Sequence, residues 1–197
     1  MPVTKITVLI SGSGTNLQAL IDACSTPSLP NTQIIRVISN RKDAYGLQRA
    51  EKAKIPILYH NLISYKKRYP DTTSNSEKSI EGVPSAPTFA EARSVYDKDL
   101  AELVLKDEPD LVFNGAHAIE RAWKAFQEKQ ITKTGIMVHY VISEVDMGEP
   151  ILTRDIEMRE GEGLEELEQR IHQNEWEIIV QGTKMAIEKL KGAPGMQ

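Results

Sequence analysis

Ile6-Thr7-Val8-Leu9-Ile10-Ser11-Gly12-Ser13-Gly14-Thr15-Asn16-Leu17 decides the fold. Its first five residues are a mostly apolar, mostly β-branched run of strand length, and Leu17, Leu20 and Ile21 then recur at helical spacing. Strand, glycine loop and helix therefore follow in immediate succession. Glycines allow a tight turn and close approach of a ligand, and a helix start offers unpaired N–H groups at a positive dipole end. A dinucleotide fingerprint needs a third glycine where Leu17 stands, and a Walker loop needs Gly-Lys-Ser/Thr, which the stretch lacks. The remaining readings are a compact monophosphate cradle and a purely structural turn.

Outward from this stretch the alternation continues. Ile34-Ile35-Arg36-Val37-Ile38 reads as a second strand, Gly46 to Lys54 as a helix, and Ile57-Leu58-Tyr59 as a third strand. Such a βαβαβ order predicts an α/β fold, a mostly parallel sheet with helices on both faces. Ser64 to Thr88 is rich in Ser, Thr, Asn and Pro and reads as a mobile surface insertion. Helical periodicity resumes over Phe89–Lys106, with Ala92, Val95, Tyr96, Leu100, Leu103 and Val104 on one face. Pro109 to Phe113 predicts a buried strand that stops at Asn114-Gly115, and His117 to Gln127 predicts a helix. Gly135–Val141 and Pro150–Ile156 are strand-like around a turn at Val145–Gly148. Leu164 to Leu190 is a long amphipathic helix or a helix pair with a charged outer face.

Composition excludes several classes. Of 197 residues 40% are apolar and 26% charged, ordinary values for a globular chain. A net charge of -4 gives no global attraction to nucleic acid or anionic membranes, so any phosphate must be held locally. The one cysteine, Cys24, has no partner for an internal disulfide and no zinc-ligand spacing around it; it reads as a small helix residue. No apolar run approaches the ~20 residues needed to span a bilayer, and no secretion signal precedes the first strand. A cytoplasmic protein with no metal, nucleic-acid or membrane partner is the expectation, with residues 1–191 as one domain and 192–197 as a tail.

Asp146, in a glycine-containing turn after a strand, stands where α/β folds place chemistry. A carboxylate there can raise the pKa of a neighbouring imidazole, or simply cap the turn. His139 reads as a core histidine in preference to a catalyst. No partner for His60 or His172 is visible in the sequence.

Ile-Ser-Gly-Ser-Gly-Thr-Asn-Leu-Gln (10–18) and Gly-Ile-Met-Val-His-Tyr-Val-Ile-Ser-Glu-Val-Asp-Met-Gly-Glu-Pro-Ile (135–151) together resemble the phosphoribosylglycinamide formyltransferase family. The resemblance covers Lys5–Ala23, Ser39–Ala50, Arg93–Val112, Phe113–Trp123 and Thr134–Glu177. It implies a Rossmann-like fold and transfer of formyl from 10-formyltetrahydrofolate, the co-substrate, to the amine of glycinamide ribonucleotide in purine synthesis. Carried over by position, it implies that Gly14, Thr15 and Asn16 hold the ribose-phosphate and that Glu175 contacts substrate hydroxyls. It further implies Arg93 near the folate site, Asp146 as the carboxylate tuning the catalytic histidine, and His117 near the reaction centre.

One departure is large. The family continues its Pro-Asp-Leu-Val strand through a helix and another strand ending in Asn-x-His-Pro. Here Val112 passes directly to Phe113-Asn114-Gly115, and none of the 4 histidines precedes a proline. One helix-strand unit is therefore expected to be missing, with the general-acid histidine and the oxyanion-stabilising asparagine it carries. A catalytically dead ribose-phosphate binder, or a partner-regulating relative, is the alternative reading. A formyltransferase acting on methionyl-tRNA is disfavoured by the acidic balance.

Overall fold

A computed structural model describes residues 2–68, 89–114, 119–141 and 148–192. They group into two compact units: Lys5–Ser13 with Ile34–Phe113, and Met1–Thr4 with Gly14–Gln33 and Asn114–Gln197.

The first unit carries a four-stranded sheet of β1 (Thr4–Ile10), β2 (Thr32–Ser39), β3 (Ile57–Tyr59) and β4 (Leu111–Asn114), in the order β3-β2-β1-β4. β3 runs parallel to β2, with Ile38 opposite Leu58. At the other side, Asp110 N–H donates to the Lys5 carbonyl (2.9 Å) and its carboxylate accepts from Lys5 N–H (2.7 Å). Those residues stand at the start of both strands, so β4 also runs parallel to β1. The fold is Rossmann-like α/β, as the strand pattern predicts. β1 is apolar and buried at Ile6 and Val8 because neighbouring strands flank it, and β2 is buried at Val37 and Ile38.

β4 departs from expectation. It is not a buried strand: Val112 is 43% exposed, and burial alternates along Leu111–Asn114. Among the described residues it stands at the sheet's edge, with β1 on one side only.

Around this sheet lie α2 (Tyr45–Lys52), α3 (Leu62–Arg68) and α4 (Phe89–Leu105). α3 corrects the reading of Ser64–Thr88 as an insertion from its first residue. Ser64–Arg68 are helical, and Tyr65 is buried with Ala92 and Tyr96 of α4, where Leu62, Val95 and Leu100 pack around it. Residues 69–88 lie outside the described ones. Isolated basic and polar neighbours hid a single large aromatic anchor. The cluster includes buried His60, whose ring stacks on Tyr96 (centroids 4.5 Å apart) and whose Nε2 lies 3.2 Å from the Tyr96 carbonyl. So His60 has partners, though they are distant in sequence.

The Tyr65 hydroxyl donates to Asp99 Oδ2 at 2.6 Å. Burial, then the hydrogen bond to Asp99 and its negative charge, push the Tyr65 phenol up to about 12. A folded pKa above the unfolded value near 10 contributes stability that is fully present below about pH 10 and is lost as pH rises toward 12. Urea unfolding across that window should show the decline, and Tyr65→Phe should flatten it. An identical pH slope in the phenylalanine variant would refute this assignment.

The second unit contains α1 (Thr15–Ala23), α5 (Ile119–Gln127), the antiparallel pair β5 (Lys133–His139) and β6 (Pro150–Glu157), and α6 (Leu164–Gly192). α6 is one uninterrupted helix, not a pair. Its buried stripe of Leu167, Ile171, Ile178, Ile179, Gly182, Thr183, Ala186 and Ile187 keeps the i, i+4 rhythm throughout. Leu167 and Ile171 meet Ile156 of β6, with Ile119 and Trp123 of α5 beside them. At Gly182 the helix passes Val138 so closely that a Cβ would stand 2.9 Å from its Cγ1. α1 packs on α6 and buries Leu17 and Leu20. Cys24 lies just beyond α1, at its C-cap, half-buried.

Candidate ribose-phosphate loop

β1 ends at Ile10 and α1 starts at Thr15, so the turn is made within Ser11–Gly14. Gly14 sits at the helix N-cap with φ 69° and ψ 32°, the left-handed region where a side chain is strained. Its carbonyl accepts from Gln18 N–H at 3.0 Å. No side chain caps the helix, and the first turn holds no acidic residue. The first-turn amides therefore remain available with no carboxylate competing for them.

Two hydrogen bonds from α2 hold the loop. Gly46 N–H donates to the Gly12 carbonyl (3.0 Å), and Arg49 Nε donates to the Ser13 carbonyl (2.9 Å). A Cβ at Gly12 would meet nothing within 4 Å, so the space beside it is open. The Asn16 side-chain oxygen is buried without a hydrogen-bond partner. A buried acceptor lacking a donor is costly, and a ligand N–H or O–H would relieve it. The loop thus presents backbone donors suited to an anion and one acceptor suited to a polar neighbour of that anion.

The other sequence-derived residues fall as follows. Glu175 lies on α6, in the same unit as Gly14, Thr15 and Asn16, and one carboxylate oxygen is 2.9 Å from His172 Nδ1. His172 therefore has a partner, one turn away on its own helix. Arg93 lies on α4, where its Nε bonds both carboxylate oxygens of Asp97 at 3.0 and 2.8 Å. That hydrogen bond and charge hold the guanidinium above its ordinary pKa. His139 is half-buried rather than a core residue, with Nδ1 2.9 Å from the Tyr140 carbonyl. Asp146 and His117 lie outside the described residues. In the sequence, Asp146 falls between β5 and β6, and His117 between β4 and α5.

A cavity of about 760 Å³ opens between α1 and α6, lined by Asp22, Gln173, Trp176, Glu177 and Lys184 among others. Neither the glycine loop nor Glu175 lines it, so its position along α1 sets it apart from the candidate site. Among the described residues no group of three or more His, Cys, Asp or Glu is placed to hold a metal ion, and no helix is long and apolar enough to cross a membrane. The residues that sequence reasoning missed are Gly46 and Arg49. Their only sequence signal was the helical reading of that segment, which says nothing of what the helix touches.

Known proteins resemble this chain in sequence and in fold. The family described as Formyl transferase matches residues 4–113 and 112–183, two stretches that meet at Val112–Phe113. A phosphoribosylglycinamide formyltransferase of Schizosaccharomyces pombe is 38% identical over 220 positions, covering 94% of this chain and 98% of the relative. Since 94% of 197 residues is about 185, about 35 of those 220 positions have no counterpart here. The enzyme of the same name in Dictyostelium discoideum is 40% identical, covering 92% of this chain and 97% of its own. The crystal structure of glycinamide ribonucleotide transformylase 1 from Symbiobacterium toebii superposes with a TM-score of 0.67 at 28% identity, over 91% of this chain and 85% of that one.

Proposed function

We infer that this chain, which belongs to the phosphoribosylglycinamide formyltransferase family, binds glycinamide ribonucleotide at Gly14, Thr15 and Asn16. In this reading residues 1–191 form one cytoplasmic formyltransferase domain of purine synthesis. The observation that carries it is the loop itself: backbone donors held open by α2, no acid in the first helical turn, and a buried Asn16 oxygen awaiting a donor.

The reaction joins the substrate amine to the formyl carbon and expels the folate nitrogen. Helix-start amides fix the phosphate end, which places the amine at the far end of the ribose. Glu175 accepts from substrate hydroxyls, and its neighbour His172 restricts the carboxylate's rotamer. Arg93 orients the folate, with Asp97 holding the guanidinium. 10-Formyltetrahydrofolate supplies the formyl group. Asp146 is the carboxylate that would stabilise a charged imidazole, and His117 lies near the reacting centre.

What the chain lacks favours a second reading. On that second reading the chain, with no Asn-x-His-Pro anywhere in it, is a catalytically dead ribose-phosphate binder or a partner-regulating relative.

Binding can be measured apart from turnover. Calorimetry should show glycinamide ribonucleotide preferred over NAD and ATP, and preferential NAD binding would sink the reading. Asn16→Ala should weaken the ribonucleotide by about 1–3 kcal/mol, typical of a buried hydrogen bond to a charged or strongly polar group.

A further inference from the structure

Resting on that reading of the loop, we propose that Arg49 is a positioning residue: it aims the loop's backbone amides at the substrate phosphate. In a trans peptide the carbonyl oxygen of one residue and the N–H of the next point in opposite directions. No described peptide bond is cis. Drawing the Ser13 carbonyl onto Arg49 Nε (2.9 Å) therefore turns the Gly14 N–H away from α2. Drawing the Gly12 carbonyl onto Gly46 N–H (3.0 Å) turns the Ser13 N–H away as well. Two consecutive amides are thereby directed to the same open side, and such a pair forms an anion-binding concavity. Neither amide has a hydrogen-bond partner among the described residues.

Arg49 is suited to this task in a way that Gly46 is not. Gly46 holds the Gly12 carbonyl through its backbone N–H, so any residue but proline there keeps the donor. Arg49 acts through a side chain, and its guanidinium lies over the Tyr45 ring with Cζ 5.0 Å from the centroid. That stacking fixes the plane of the guanidinium and hence the direction of its Nε–H. The chain closes a short circuit here: Tyr45 orients Arg49, Arg49 orients Ser13, and Ser13 orients the Gly14 amide. Losing the side chain would leave the Ser13–Gly14 plane free to rotate, since nothing else described holds that carbonyl.

The test is the phosphate selectivity of binding, measured by calorimetry on the whole chain. Wild type, Arg49→Ala and Arg49→Lys are each titrated with glycinamide ribonucleotide and with its 5′-unphosphorylated riboside, and thermal unfolding follows the fold. Arg49→Ala should lower the ratio of the two affinities about tenfold, one oriented hydrogen bond to a charged group. Arg49→Lys keeps the stem and charge but not the planar, stacked donor, and should lower the ratio by a smaller factor; it carries the test if the alanine chain is unfolded. A ratio unchanged in the folded variants overturns the role of Arg49, as does an equal loss for both ligands. Wild-type protein that does not bind the ribonucleotide overturns the reading of the loop itself, and the role of Arg49 with it.

Discussion

Given glycinamide ribonucleotide and 10-formyltetrahydrofolate, the 197-residue chain is expected to release folate no faster than background. A version carrying a complete relative's segment between Val112 and Phe113 is expected to turn over. Amine attack on the formyl carbon builds negative charge on oxygen, and one preorganised donor to that oxygen contributes roughly 10²–10³ in rate. The leaving nitrogen needs a proton, for which a positioned acid contributes typically 10²–10⁴. The family draws both from the Asn-x-His-Pro strand, so their joint loss should cost on the order of 10⁴ or more. Asp146 cannot substitute: an unperturbed Asp has a pKa of about 3.9, so at pH 7 it has almost no proton to give. β4 ends the four-stranded sheet as an edge, Val112 is 43% exposed, and the family match divides at residues 112–113. Comparable turnover by the two proteins, both folded by circular dichroism, would refute the claim and demand a different acid.

Gly148→Ala should be among the most damaging single methyl additions in the chain. Gly148 is buried, and a Cβ there would land on the carbonyl of Tyr140, with His139 Nδ1 3.3 Å away. A flexible side chain could move aside, but this obstacle is backbone. Tyr140 N–H donates to the Glu149 carbonyl at 3.0 Å, and the β5–β6 register runs on from that bond to Lys133 opposite Glu157. Relief therefore requires opening the hairpin, which should cost about 3 kcal/mol or more. Gly161→Ala is the control. It has φ 79° but nothing within 4 Å of its Cβ position, so only backbone strain of about 1–2 kcal/mol applies. Urea unfolding of both variants decides the matter: a smaller loss at Gly148 than at Gly161 would show that the hairpin yields easily.

Local periodicity and turn chemistry were enough to determine the alternating strands and helices from Thr4 to Tyr59, the apolar stripe of α4 and the long α6. Each depends on side chains a few residues apart, and so is written into neighbouring positions. The glycine loop was legible for the same reason, since the missing third glycine and missing Walker lysine are local facts. Tertiary structure alone decided the rest. Tyr65 looked like part of a polar insertion until Ala92 and Tyr96, about thirty residues later, closed over it. The Pro109–Phe113 run is apolar enough for burial, yet its burial depends on a neighbouring strand, and β4 has one on a single side. Arg49 reads in sequence as one more cation on a surface helix. Only folding brings its Nε to the Ser13 carbonyl, 36 positions earlier, because hydrogen bonds between distant segments leave no periodic trace in the chain that makes them.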